Sequence, residues 1–180
     1  MATKEQKLQK LLQDKRSVYH VQDLAVLWGI SNRNTLYTIL SRYTRKGILK
    51  KIQKGLYATV PVDQIDPVEL GLRALRRYGY LSTESVLAKA GVIFQEISQV
   101  TLVSSCSGRF QLANHRFLVR QLKAECLYNQ TGVVAHSSGG EATVERAVAD
   151  LLYYDPSYHF DAPRLVDWEK VEKIKRQVGY

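Results

Sequence analysis

The sequence predicts an α+β fold in two parts, and three observations carry that expectation. Between Val18 and Val60, two stretches of helical period are separated by a glycine and followed by an alternating, lysine-rich segment. Pro61 and Pro67 then bracket a short acidic linker. Beyond it, alternating apolar and polar runs are interleaved with further helical stretches. Together they predict a winged helix-turn-helix over residues 1–62 and a small C-terminal domain of antiparallel sheet and helices over residues 63–180.

A leading helix is expected over residues 3–14. Thr3 suits its N-cap, and Gln6 three residues on completes a capping box. Leu8, Leu11 and Leu12 would pack under the helix-turn-helix, with Lys7, Lys10, Lys15 and Arg16 facing outward, read as solvated, with phosphate contact at a helix end as the alternative.

The helix-turn-helix follows from spacing. Val21, Leu24, Ala25, Leu27 and Trp28 repeat with helical period, and Gly29 ends that helix where a positive φ costs little. Ala25, four residues before Gly29, is small enough for two helices to cross closely. Ser31 is the expected N-cap of the second helix. There Leu36, Ile39, Leu40 and Tyr43 form one apolar stripe. The opposite face shows Arg33, Asn34, Tyr37, Thr38, Ser41, Arg42 and Arg45. Guanidinium and amide groups pair with base edges, and hydroxyls reach phosphate.

The wing is read from alternation. Ile48, Leu49 and Ile52, then Lys54-Gly55, then Leu56, Tyr57 and Val60 describe two short strands and a turn. Lys50, Lys51 and Lys54 fall at or near its tip, as flexible point charges suited to a phosphate backbone.

Winged helices also dock proteins, and charge separates the two uses. Ser31 to Gly55 holds seven Lys or Arg and no Asp or Glu, whereas a merely solvated face mixes signs. The excess is local. Of a net charge of +9, residues 1–66 carry +7 and residues 67–180 only +2. A polyanionic partner is therefore expected for the first part alone. The candidate DNA-contacting set is Ser31, Asn32, Arg33, Asn34, Thr35, Tyr37, Thr38, Ser41, Arg42, Arg45, Lys46, Lys50, Lys51 and Lys54. Within it Arg33, Asn34, Thr38 and Arg42 are expected on bases, Arg45 on phosphate, and the three hairpin lysines on the flanking backbone or minor groove.

Residues 68–79 read as a helix with Val68, Leu72 and Leu75 on one face. Arg73, Arg76 and Arg77 lie on another, read as solvated, with an extension of the DNA surface as the alternative. Ser82 is the expected cap of a helix over 83–90, ended by Gly91. Strands are expected over 100–105, 109–112, 116–122 and 125–128, and a helix from Thr143 to Tyr154 ended by Asp155-Pro156. Phe160, Leu165, Val166, Trp168, Val171 and Ile174 imply a docked tail with a short final helix.

Catalytic and metal signals are weak. His20, His115, His136 and His159 are scattered, and Cys106 and Cys126 lack metal-site spacing and read as reduced thiols. The stretch His136-Ser-Ser-Gly-Gly reads as a polar connector. Glu141, Glu145 and Asp150 lie near one helix, but no lysine accompanies them in sequence as a nuclease centre would need. The expectation is a non-enzymatic protein without metal or cofactor. It is expected to be cytoplasmic, since the first residues are polar and no apolar run reaches membrane-spanning length.

Two stretches, in this order, resemble the AbiEi family, the antitoxins and transcriptional regulators of type IV toxin–antitoxin systems. One is the winged segment with its exit Gly55 to Pro61 (GLYATVP). The other is Ala142 to Pro156 (ATVERAVADLLYYDP), followed by Phe160 to Ile174 (FDAPRLVDWEKVEKI). Where the family commonly has proline after the threonine opening the late helix, this chain has Val144, which loses a favoured first-turn residue but not the helix. The resemblance spans nearly the whole chain. It implies a repressor that binds double-stranded operator repeats upstream of its own operon and counteracts a nucleotidyltransferase-like toxin, antitoxicity residing in the C-terminal domain. The alternative from the residues themselves is an adaptor whose wing docks a protein and whose C-terminal half sequesters a partner enzyme, without binding DNA.

Overall fold

Thr3 accepts the Gln6 amide and Gln6 answers to the Thr3 amide, so a reciprocal capping box starts helix α1, Lys4–Gln13. The computed structural model describes residues 3–14 and 16–180, and Lys15, expected to face outward, lies outside them. The expected inward face of α1 is corrected. Leu11 and Lys7 are buried (4% and 9% exposed), while Leu12 is 79% exposed and Leu8 36%. Lys7 is held inward because its carbonyl accepts the Trp28 indole N–H at 3.2 Å, which draws that edge of α1 onto the core. Lys10 reaches the Leu27 carbonyl at 2.9 Å. Arg16 pairs with Asp14 and lies over the Tyr19 ring.

Strand β1, Val18–His20, is too short to show in the sequence pattern. His20 also caps helix α2, Val21–Trp28, in a capping box with Asp23, and Gly29 closes α2 at φ 64°. Helix α3, Arg33–Arg45, is capped by Asn32, whose side chain accepts the Thr35 amide at 3.0 Å. The cap is thus one residue later than the expected Ser31, two good capping residues standing side by side. Strands β2, Lys50–Gln53, and β3, Leu56–Ala58, form the anticipated hairpin, and β1 completes an antiparallel sheet in the order β1-β3-β2. The core beneath is Leu11, Tyr19, Leu24, Trp28, Ile30, Leu36, Leu40, Tyr43, Leu49 and Tyr57. In it Trp28 meets Tyr43 edge-on at 5.4 Å, an arrangement worth about 0.5–1.5 kcal/mol beyond burial.

Helix α4, Pro67–Leu75, opens with Pro67 at its first turn and Asp66 as cap. The chain divides into two units at Arg76/Arg77, so α4 belongs to the first unit rather than to the C-terminal part begun at residue 63. The reason is Glu69: its buried carboxylate accepts the amides of Ser17 and Val18 at 2.8 and 3.1 Å, tying α4 to β1. The helix also stops sooner than residue 79, with Arg76 in a left-handed conformation at φ 56°.

The second unit is built on β4 (Gly79–Leu81), α5 (Glu84–Lys89), β5 (Val100–Ser104), β6 (Gly108–Leu112), β7 (His115–Gln121), α6 (Ala124–Leu127), β8 (Val133–His136), β9 (Gly139–Ala142), α7 (Val144–Tyr154) and α8 (Trp168–Val178). Its six strands run β6-β7-β5-β4-β9-β8. The sheet is mixed rather than antiparallel, because β5 pairs with β7 and β4 with β9 in parallel. Residues 125–128, expected as strand, fall largely in the single-turn helix α6. The connector at His136 turns between β8 and β9. Ser82 does not cap α5: Thr83 precedes that helix, and the Ser82 hydroxyl donates to Asp150 at 2.6 Å. The architecture is α+β. Among the described residues no helix is long and apolar enough to cross a membrane.

Candidate nucleic-acid interface

The side chains of α3 are sorted by its own geometry. At about 100° per residue, burying Leu36, Leu40 and Tyr43 turns Asn34, Thr38, Ser41 and Arg45 furthest outward, as one stripe. Thr38 donates its hydroxyl hydrogen to the Asn34 carbonyl at 2.9 Å, leaving its oxygen to accept from outside.

Two flanks border that stripe. On one, Arg33 lies over the Tyr37 ring at 5.7 Å. Tyr37 is close enough to Tyr57 of β3 to add to the rise in the Tyr57 pKa, which burial mainly causes, so this flank faces the hairpin. On the other, Thr35, Ile39, Arg42, Tyr43 and Lys46, joined by Asn34 and Thr38, line a groove of about 570 Å³ with Lys7 of α1. Ser31 and Asn32 are exposed at the N-terminal end of α3, Asn32 engaged as its cap.

Lys50 and Lys51 are exposed on β2, and Lys54 occupies the turn beside Gly55. Gly55 has φ 82°, and a Cβ there would approach His20 Nε2 to 3.1 Å, while its carbonyl accepts the Val21 amide at 2.8 Å. The hairpin turn is therefore seated on the start of α2. His20 Nδ1 accepts the Gln22 amide at 3.3 Å, so the ring is neutral there. Burial holds its pKa below the ordinary value, nearby Arg76 adds to that, and Asp23 opposes it.

The predicted contact residues thus fall on the outward stripe and two flanks of α3, at its N-terminal end, and on the β2–β3 hairpin. Among the described residues, no salt bridge engages Arg33, Arg42, Arg45, Lys50, Lys51 or Lys54. Sequence reasoning misplaced one participant and missed another. Lys7, read as an outward side chain with phosphate contact as the alternative, is buried and lines the groove from α1. His20 supports the turn, and its only sequence signal was Asp23 three residues on.

The carboxylates weighed as a nuclease centre are dispersed. Glu141 pairs with Lys89 at 3.0 Å and Glu145 with Lys170 at 3.3 Å, lysines that only the tertiary fold supplies. Asp150 is fully buried and pairs with Arg146 at 2.7 Å. Among the described residues no three His, Cys, Asp or Glu gather as a metal site, and Cys106 and Cys126 are free thiols.

No protein-family model matches the chain, and neither does any curated protein. Solved structures do. The crystal structure of the RV2827C protein from Mycobacterium tuberculosis is similar with a TM-score of 0.53 at 14% identity, covering 96% of this chain and 70% of that one. At that identity the likeness speaks to the fold.

Proposed function

We propose that the first unit is a winged helix-turn-helix and that the protein is a sequence-specific DNA-binding repressor. The observation that carries this is the surface of α3 and the β2–β3 hairpin, which holds seven Lys or Arg from Ser31 to Gly55 without one carboxylate. A helix about 10–12 Å across suits a major groove about 12 Å wide. The outward stripe of α3 supplies an amide, hydroxyls and a guanidinium, the groups that read base edges. The hairpin lysines supply charge for the flanking backbone. Lys54 sits in a turn fixed against α2, and Lys50 and Lys51 lie on the strand that leads into it, which gives that charge a defined position.

The resemblance to AbiEi supports the finer part of the proposal: a cytoplasmic, non-enzymatic autoregulator of a toxin–antitoxin operon, paired functionally with a nucleotidyltransferase-like toxin. The test is fluorescence anisotropy with the duplex upstream of the gene beside a scrambled duplex of equal length. Selective binding to the upstream duplex is expected. Equal, weak binding to both would reduce the surface to a basic patch. Absence of binding even at low salt, with a salt-insensitive protein complex in its place, would give the adaptor function instead.

A further inference from the structure

We propose that the groove between α1 and α3 seats the sugar-phosphate backbone of one DNA strand, on the flank of α3 opposite the hairpin. This rests on the DNA-binding proposal above and assigns a second backbone contact, made by a groove that the sequence does not show.

The argument starts from the size of the helix. A helix lying in a major groove about as wide as itself has one phosphate backbone along each flank. The hairpin accounts for one flank, where Arg33 lies over Tyr37 and Tyr37 is near Tyr57, the strand partner of Lys51. The other flank opens into the groove, whose lining includes three cationic residues, Lys7, Arg42 and Lys46, and, among the described residues, no carboxylate. Its volume of about 570 Å³ is within the range of sites that enclose small ligands, enough for a nucleotide-sized length of backbone. Thr35 adds a hydroxyl at its wall. An acidic protein segment would match the charge, but the groove runs along the same helix whose outermost stripe is built for base edges. One duplex satisfies both surfaces at once.

The consequence is a reversal of roles on α3. Arg42, expected from the sequence to read a base, lines the groove and becomes a phosphate contact. Arg45, expected on phosphate, lies on the outermost stripe with Asn34, Thr38 and Ser41 and becomes the base reader.

Arginine-to-lysine exchange separates the two roles, since lysine keeps the charge for phosphate but loses the bidentate fork that a guanine edge requires. The experiment measures upstream and scrambled duplexes with Arg42→Ala, Arg42→Lys, Arg45→Lys and Lys51→Ala across a salt series. Arg42→Ala is expected to weaken both duplexes by the same factor and to lower the slope of log K against log salt by about 0.9. Arg42→Lys should restore both, and Arg45→Lys should lose selectivity with its slope unchanged. If Arg42→Ala relaxes selectivity at one base pair and Arg42→Lys does not rescue it, the groove proposal is overturned while DNA recognition stands. If wild type prefers neither duplex and Lys51→Ala changes nothing, the DNA-binding function itself fails and the groove proposal with it. Circular dichroism of each variant, expected to match wild type because these side chains are on the helix or hairpin surface, reports that the fold is intact.

Discussion

Arg146 of the second unit and the arginines of α3 in the first are used in opposite ways. In the second, Arg146 of α7 is fully buried, and all five of its N–H groups are spent inside the fold. Nε donates to Asp150, one terminal nitrogen to the carbonyls of Asn129 and Thr131, and the other to Tyr80 Oη and the Cys126 carbonyl. Asp150 is as fully engaged, accepting also from the hydroxyls of Tyr80, Ser82 and Tyr180. In the first unit, Arg33, Arg42 and Arg45 are exposed, and no carboxylate pairs with them among the described residues. A guanidinium whose donors are all satisfied internally organises the fold. One left outside is solvated and open to an external anion.

The comparison breaks most sharply at Asp150. Asp150→Ala leaves the Arg146 charge buried without its counter-ion, and a loss of about 3–5 kcal/mol is expected from urea unfolding. Stability within about 1 kcal/mol of wild type would mean the network is dispensable. Arg45→Ala should do the reverse. Urea stability should stay within about 0.5 kcal/mol. Binding to the upstream duplex should fall by about 1–3 kcal/mol, with discrimination relaxed at one position.

A third substitution tests the frame that presents those arginines. Asn32→Ala removes the side chain that accepts the Thr35 amide and should cost about 1 kcal/mol of thermal or urea stability, whereas Ser31→Ala should cost almost nothing. The smallest effect is expected at His20. Its folded pKa lies below 6.5, so between that value and 6.5 the unfolded chain binds more protons than the folded one. Its contribution is complete above pH 6.5 and is lost as pH falls through that window, when Nδ1 can no longer accept the Gln22 amide. Urea midpoints between pH 5 and 8 should show this dependence in wild type and less of it in His20→Asn, which caps without titrating.

The first unit was legible because its signals are periodic. Helices α2 and α3 announce themselves by apolar spacing and Gly29, and the hairpin by alternation about Gly55. What stayed hidden had no period to show. Strands β1 and β4 have three residues each, α6 has four, and β9 is glycine-rich. Strand direction is not encoded by alternation, so the parallel β5–β7 and β4–β9 pairs were invisible. Nothing in the sequence marked Glu69 or Arg146 as buried, because their partners lie on distant parts of the chain: Ser17 and Val18 for one, Asn129 and Tyr80 for the other. At the candidate site the excess of positive charge was plain from composition. Its division into an outward stripe and two flanks needed the rotation of α3 on its core, and Lys7 needed the corrected face of α1.

The central claim, that the α3–hairpin surface is built for duplex DNA, is tested most directly by a salt titration of wild-type protein on the upstream and scrambled duplexes. Neutralising several phosphates should give a steep loss of affinity, about −0.9 in slope per contact, with the preference for the upstream duplex persisting as salt rises. A slope near zero, or equal affinity for both duplexes at every salt concentration, would contradict it.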